Sequence, residues 1–342
     1  MTGRLVLYKA WLWVLVLSGP LFCQQYPDQK VDYLLKRGIN KIMSEDYGEA
    51  EQMFLKLSQS YPDLPLGNIY LAANKIAIAV DNGEAFDERY INSKFNQAEK
   101  QIEKLLAKNE NNPWNQYFAA LAKGYYAYYK ALNKDYFSAF SNGLSSVSKF
   151  EKCLKLDSSF YEAYIAIGSY KYWKSAKTEF LKWLPFVNDE KELGIKYLKM
   201  AMSKRTYNFV LAENSLLWIY LNQKDYHRAA SLAENVLREY PENRSFKWGL
   251  GQALQRINKP KSIEVYTALL KSFTDQRYNN HYNEIILKHR LAILFHETGD
   301  DKKAVRLCNE ILATTQLSEW VKDKLDDRMD KVRKFKEELL QQ

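Results

Sequence analysis

Histidine and cysteine carry most protein chemistry, and this chain has few of either. Its four histidines are His227, His281, His289 and His296. His289 and His296 fall on one face of a helix but about 10.5 Å apart along its axis, too far to share one metal. His281 and Glu284 share a face, and two ligands do not make a site. Cys153 ("KFEKCLKL") and Cys308 ("AVRLCNEIL") lie on the apolar side of amphipathic patterns, as buried free thiols do. No nucleophile elbow, phosphate-binding glycine loop or Cys-x-x-Cys occurs, and no glutamate stands out from the solvated helix faces. The expectation is a non-enzyme without metal or cofactor. "ENRSF" holds Asn243-Arg244-Ser245, a formal acceptor for an N-glycan just past Pro241.

The richer chemistry is aromatic and basic. Tyr125, Tyr128 and Tyr129, then Tyr172 and Trp173, then Trp218, are interleaved with Lys123, Lys130, Lys171 and Lys174. Rings supply contact area and lysines meet acidic groups, so such a set suits an extended peptide or a helix. It also suits stacking on sugar rings. The competing expectation is that several of these rings pack between neighbouring helices. A second aromatic cluster, Phe180, Leu181, Trp183, Leu184 and Phe186, is broken by Pro185 and flanked by Lys177 and Lys182. It reads either as a wedge for a membrane surface or a partner pocket, or as a loop folded back on the protein.

Composition says what positions these residues. The chain has 342 residues, 46% apolar, with 13 glycines, 8 prolines and 25 tyrosines. Few breakers and abundant Leu, Ala, Lys and Glu mean long helices. The formal charge is +9, from 50 basic and 41 acidic residues. They are interspersed, without the basic block of a nucleic-acid arm, and no nucleic-acid partner is expected. At the N-terminus Arg4 and Lys9 precede the apolar run Ala10–Ser18, which is too short to span a bilayer, and then Gly19-Pro20. Residues 1–23 therefore read as an export signal, with cleavage after Cys23 leaving Gln24 first. Lipidation at Cys23 is the rival, opposed by Phe22 where that processing needs a small residue. An uncleaved anchor is the third reading. No later apolar run is long enough to cross a membrane.

The rest repeats. With Val31 as position 1 of a 34-residue unit, Gly38, Ala50, Phe54 and Pro62 fall at positions 8, 20, 24 and 32. Positions 8 and 20 are where two helices of a hairpin cross closest, so small residues are required there. Phe54 is expected to fill the outer side of the second helix, and Pro62 to stop it. Tyr220, Tyr226, Ala229, Val236 and Pro241 repeat the spacing, as do Leu250 with Gly251, and Ala292 with Ala304 and Ile311. Ile167-Gly168 with a delayed Gly194 and Ala201 forms another copy. Two pairs are irregular: residues 66–81 with 91–108 (Ala98, Leu105), and 114–131 with 135–156 (Gly124, Phe150, Cys153). About seven pairs precede a final helix at Leu317–Leu340.

These offsets resemble the tetratricopeptide repeat family over nearly all of residues 24–342. Tyr170–Leu198 is also similar to a segment of exported bacterial repeat proteins of unknown role. The resemblance implies an all-α, right-handed superhelical solenoid of about seven hairpins with a C-terminal capping helix at about 317–340 and an aromatic-rich insertion at about 174–190. The first helices of the hairpins would line the concave face and the second the convex one. No cap precedes the first unit, whose end is expected to be covered by a partner.

On that scheme Tyr125, Tyr128, Tyr129, Lys130, Lys171, Tyr172, Trp173 and Trp218 form a groove, and Phe180, Trp183, Leu184 and Phe186 the wedge. Family members that clamp a chain-terminal carboxylate carry Lys and Asn at positions 5 and 9, where this chain has Leu35 and Ile39. The implied function is a non-catalytic protein–protein interaction scaffold of a bacterial periplasm or cell envelope, holding a partner peptide or helix. The alternatives are a glycan or small-ligand receptor component, and a membrane-surface accessory subunit.

Overall fold

The computed structural model describes residues 25–178 and 188–341. Phe180, Trp183, Leu184 and Phe186, and the expected export signal at residues 1–23, lie outside them. Fifteen helices form seven hairpins and a last helix. The hairpins are α1 (Gln29–Met43) with α2 (Tyr47–Ser60), α3 (Leu66–Asn82) with α4 (Glu88–Lys108), α5 (Pro113–Leu132) with α6 (Tyr136–Leu156), and α7 (Ala163–Lys177) with α8 (Lys191–Ser203). Then come α9 (Phe209–Asn222) with α10 (Tyr226–Glu239), α11 (Arg244–Ile257) with α12 (Lys259–Thr274), α13 (Tyr282–Glu297) with α14 (Asp301–Leu312), and α15 (Glu319–Leu340). Each helix packs on the next in sequence, and α1 also touches α3, α3 touches α5, α7 touches α9, α9 touches α11 and α13 touches α15. The architecture is an all-α, right-handed superhelical solenoid. Among the described residues no helix is long and apolar enough to cross a membrane.

Four hairpin turns share one design. Glu45, Lys134, Lys224 and Gly299 each adopt positive φ. The next residue, Asp46, Asp135, Asp225 or Asp300, caps the following helix by accepting a backbone N–H three residues on. The aspartate's own N–H closes the turn onto a carbonyl five residues back. A non-glycine residue in the left-handed region costs about 1 kcal/mol, and the cap returns a similar amount.

The crossing inside each hairpin is set by one small residue on the second helix. These are Ala50, Ala98, Ser146, Gly194, Ala229, Ser262 and Ala304, all buried. One turn later Phe54, Ile102, Phe150, Leu198, Ala233, Tyr266 and Cys308 are buried too. Where the small residue is serine, its hydroxyl donates to a carbonyl of the facing helix: Ser146 to Ala120 at 2.7 Å and Ser262 to Gly251 at 2.8 Å. The closest approach is Gly168 against Gly194. A Cβ on either would lie 2.5–2.7 Å from the other's carbonyl oxygen.

Phe54 is not on the outer side. Its ring lies beneath Gly38, where a Cβ would overlap it, and stacks on Tyr70 of the next hairpin at 5.1 Å. It therefore fills the seam between hairpins.

The irregular pairs follow the same rule with longer helices. α4 and α6 have 21 residues each, against 12 to 16 in the other second helices. Their small residues, Ala98 and Ser146, sit seven residues further from the caps Asp87 and Asp135 than in the other hairpins. That is two turns, about 10.5 Å. The added turns of α4 make a satellite core with Ala72, Ile76, Ile91, Phe95 and Tyr129. Those of α6 pack on α5 alone among the described residues and leave Phe137 86% exposed.

The solenoid also closes on itself. Tyr207, before α9, donates to Asp32 of α1 and accepts from the N–H of Tyr26 at 2.6 Å. Asn40 of α1 donates to Tyr240 at 3.1 Å, and Asn243 to the Met43 carbonyl at 2.8 Å. Asn283 donates to the Asp81 carbonyl and Asn280 to that of Gly83, each at 2.8 Å. Gly83 (φ 68°) leaves just enough room for the Tyr282 ring. The first hairpins thus dock on the leading ends of α9, α11 and α13. The first unit is covered in part by the chain itself rather than only by a partner.

Candidate functional site

Closure turns the concave face into a cavity of about 450 Å³. Its walls come from α1, α3, α5, α9, α11 and α13, the first helices of six hairpins. Ile39, Ile42, Ile76, Val80 and Leu211 make it largely apolar, and Tyr125, Tyr128, Trp218 and Trp248 add rings. Tyr128 is 49% exposed and Trp218 36%, so both present ring surface to the open space. Tyr125 is half-buried, edge-on to Tyr70 at 5.9 Å. Tyr70 is held from below, because Asn208 donates to its hydroxyl at 3.0 Å and to the buried Glu162 carboxylate at 3.0 Å.

Of the eight residues expected in the groove, the structure brings Tyr125, Tyr128 and Trp218 to one wall. Tyr129 is buried in the satellite core, edge-on to Phe86 at 5.5 Å. Tyr172 is buried as well and donates to Asn222 at 2.8 Å. Trp173 packs edge-on to Tyr172 at 5.2 Å against the core around α9. Lys171 is paired with Glu190. Lys130 lies 3.4 Å from Asp135 and over the rings of Tyr126 and Tyr129. These five are structural contacts, and among the described residues no lysine lines the cavity.

The charged groups at the cavity are others. Arg244, at the start of α11, reaches Asp81 at 2.5 Å and Glu45 at 3.3 Å, and its backbone N–H donates to Glu45. The three side chains are only 10–12% exposed. The guanidinium also covers the Phe273 ring at 4.6 Å. Burial, then the Asp81 charge, pushes Glu45 up to about 7 despite the arginine. Burial raises Asp81 too, and the same surroundings raise Tyr47 far above its usual range. One cation thus joins two hairpins from the start of the chain to the sixth. Sequence reading passed over Arg244 because its partners lie 163 residues or more away.

The histidines serve the scaffold. His281 bonds Glu284 at 2.7 Å, His296 bonds Asp301 at 2.6 Å, and His289 faces Arg328 at 3.3 Å. No group of three or more metal-binding side chains occurs among the described residues.

A single-file stack of helical hairpins around an inner cavity defines an α-solenoid. Residues 216–278, from the second half of α9 through α12, match the tetratricopeptide repeat family. No curated protein matches the chain. Among solved structures it is similar to PilW, a type IV pilus biogenesis factor, with 14% identity and a TM-score of 0.49, covering 75% of this chain and 98% of that one. It is also similar to YrrB, a tetratricopeptide repeat protein with an unusual peptide-binding site, with 12% identity and a TM-score of 0.41, covering 62% and 90%. The C-terminal part of a repeat protein from Cytophaga hutchinsonii gives 19% identity and 0.41, covering 86% and 98%. Likeness at these levels carries no functional conclusion.

Proposed function

We propose that the protein is a non-catalytic scaffold of the cell envelope that holds a short extended segment of a partner protein in the closed cavity. The observation that carries this is the pair of open rings, Tyr128 on α5 and Trp218 on α9, set in one apolar chamber. Buried ring area in a desolvated pocket is where binding energy concentrates. The volume argues for an extended segment. A helix with its side chains is about 10–12 Å across and would fill the chamber within one turn. Export rests on Arg4, Lys9 and the apolar run Ala10–Ser18, and fractionation of cells producing the full chain tests it.

Site-specific photocrosslinking tests the site. A benzophenone amino acid replaces Tyr128 or Trp218 in the cavity, or the 71% exposed Tyr278 outside its lining. Irradiation in cells is expected to join a protein segment to positions 128 and 218 and not to 278. Leu211→Arg, which places a charge on the cavity wall, is expected to abolish the product. Equal products at all three positions, or none at 128 and 218, would refute the reading.

A further inference from the structure

The cavity's far wall holds a cation with no acid to serve. Arg290, on α13, lines the chamber with its guanidinium over the rings of Trp248 at 5.6 Å and Tyr266 at 5.9 Å. It pairs with no carboxylate among the described residues, and its buried Nε has no protein acceptor. The Tyr266 hydroxyl beside it is also buried, and this guanidinium is the one polar group set against it. Tyr266 cannot turn aside, because its ring fills the space under Gly251, where a Cβ would overlap it. A second guanidinium, that of Arg328 on α15, stands close enough to depress and be depressed by its neighbours. Burial and then Arg290 lower Arg328. Burial, Arg328, Lys331 and Arg290 bring His289 down to about 4, so this histidine is neutral at pH 7.

An unpaired guanidinium in apolar surroundings is costly. The chain does provide acids elsewhere on the same cavity: Arg244 has two carboxylates and Arg290 has none. The Arg290 guanidinium on the cavity wall, with the Tyr266 hydroxyl packed behind it and a second cation near, suits an oxyanion arriving from the cavity.

We infer that Arg290 and Tyr266, backed by Arg328, form a subsite for an anionic oxygen group carried on an apolar body. This rests on reading the cavity as the binding site. The chamber would then select an apolar segment bearing a carboxylate, with the apolar part against Trp218 and Leu211 and the charge at Arg290. The capping helix α15 acquires a part in binding through Arg328.

Two dyes of one shape separate the charge from the cavity. Anilinonaphthalene sulfonate carries an anion, and N-phenyl-1-naphthylamine has the same rings without it. Arg290→Met is expected to weaken the sulfonate about tenfold and leave the neutral dye within about twofold. Tyr266→Phe, which keeps every charge, is expected to weaken the sulfonate about threefold and spare the neutral dye. It decides the matter if circular dichroism shows Arg290→Met to be misfolded. Equal losses for both dyes, or an unchanged sulfonate, overturn the subsite. Trp218→Ala is expected to weaken both dyes. If it weakens neither, the cavity reading fails, separately from the subsite. Competition then identifies the source of the anion, using octanoate, acetyl-Leu-Leu-Leu and the amide of that peptide. Displacement by an acid and not by the amide supports the proposal, and the tighter acid names the source. Displacement by acid and amide alike overturns it.

Discussion

Replacing Arg244 by Met keeps the packing on Phe273 and deletes the one cation that Glu45 and Asp81 share. Removing one partner of a buried ion pair costs about 3–5 kcal/mol, because the remaining charge has no solvent. Besides the residue-244 N–H to Glu45, which the variant keeps, and Tyr207 to Asp32 nearer α9, four neutral bonds hold the arms together: Asn40 to Tyr240, Asn243 to Met43, Asn280 to Gly83 and Asn283 to Asp81. At about 1 kcal/mol each they contribute about 4 kcal/mol. Loss and remainder nearly cancel, so the variant is expected to populate an opened solenoid while every hairpin stays folded. Solution scattering at pH 8 is expected to show a larger radius of gyration. Hydrogen exchange is expected to speed up at the end of α1, the end of α3 and the start of α11, and not in α6 or α14.

The pH dependence has a definite sign. Glu45 sits at about 7 in the closed form against 4.5 when free. The closed form binds the proton more tightly, so closure gains as pH falls from 8 toward 5 and is lost as pH rises through 7. The span between those values corresponds to roughly 3 kcal/mol. In Arg244→Met the two bare carboxylates strengthen this trend, so the variant is expected to reclose at pH 5.5. Unchanged scattering at pH 8, or faster exchange spread evenly over all helices, would refute the idea that Arg244 holds the seam.

Two further outcomes test the packing rules. Gly194→Ala drives a methyl against the Gly168 carbonyl and the Tyr172 backbone, so thermal unfolding is expected to show a loss of about 2–4 kcal/mol. Gly48→Ala, where nothing lies within 4 Å, is expected to leave stability unchanged or slightly raised. Burial pushes the Cys153 thiol up to about 12 and raises Cys308. A thiol reagent at pH 8 is therefore expected to label neither in the native chain and both in urea, and fast native labelling would contradict their burial.

The hairpins were legible because their rule is local. A small residue four positions past a cap, with a bulky or buried one a turn later, is written into five of the seven units, as in Asp46, Ala50 and Phe54 or Asp225, Ala229 and Ala233. Reading failed where the register moved by two turns. With a 34-residue frame Ser146 goes unnoticed for that reason, and Ser262 because it falls one place short of the frame set by Gly251, although each occupies the alanine's place and satisfies its hydroxyl on the facing helix. The same shift explains the aromatic residues. Tyr129 and Tyr172 share the offsets that put Tyr128 in the cavity, yet the longer hairpin buries Tyr129 against α4 and the crossing at Gly194 buries Tyr172. Helix-face arithmetic places a ring on a side but not opposite a void.

Closure belongs to a different level of information. Asn208, Asn243 and Asn283 each begin or precede an inner helix, and each reaches across to the first two hairpins. Nothing in the local spacing marks them, since asparagine at a helix start already has a capping use, and Asn243 serves both ends at once by also accepting the Phe246 N–H. Whether such side chains meet a second arm depends on the accumulated rotation of several hairpins, the two long units among them. Lengthening α4 and α6 therefore alters more than one crossing. It changes where the chain's beginning arrives relative to α9, α11 and α13, and so decides whether the concave face is an open groove or the bounded chamber that Arg244 closes and Arg290 lines.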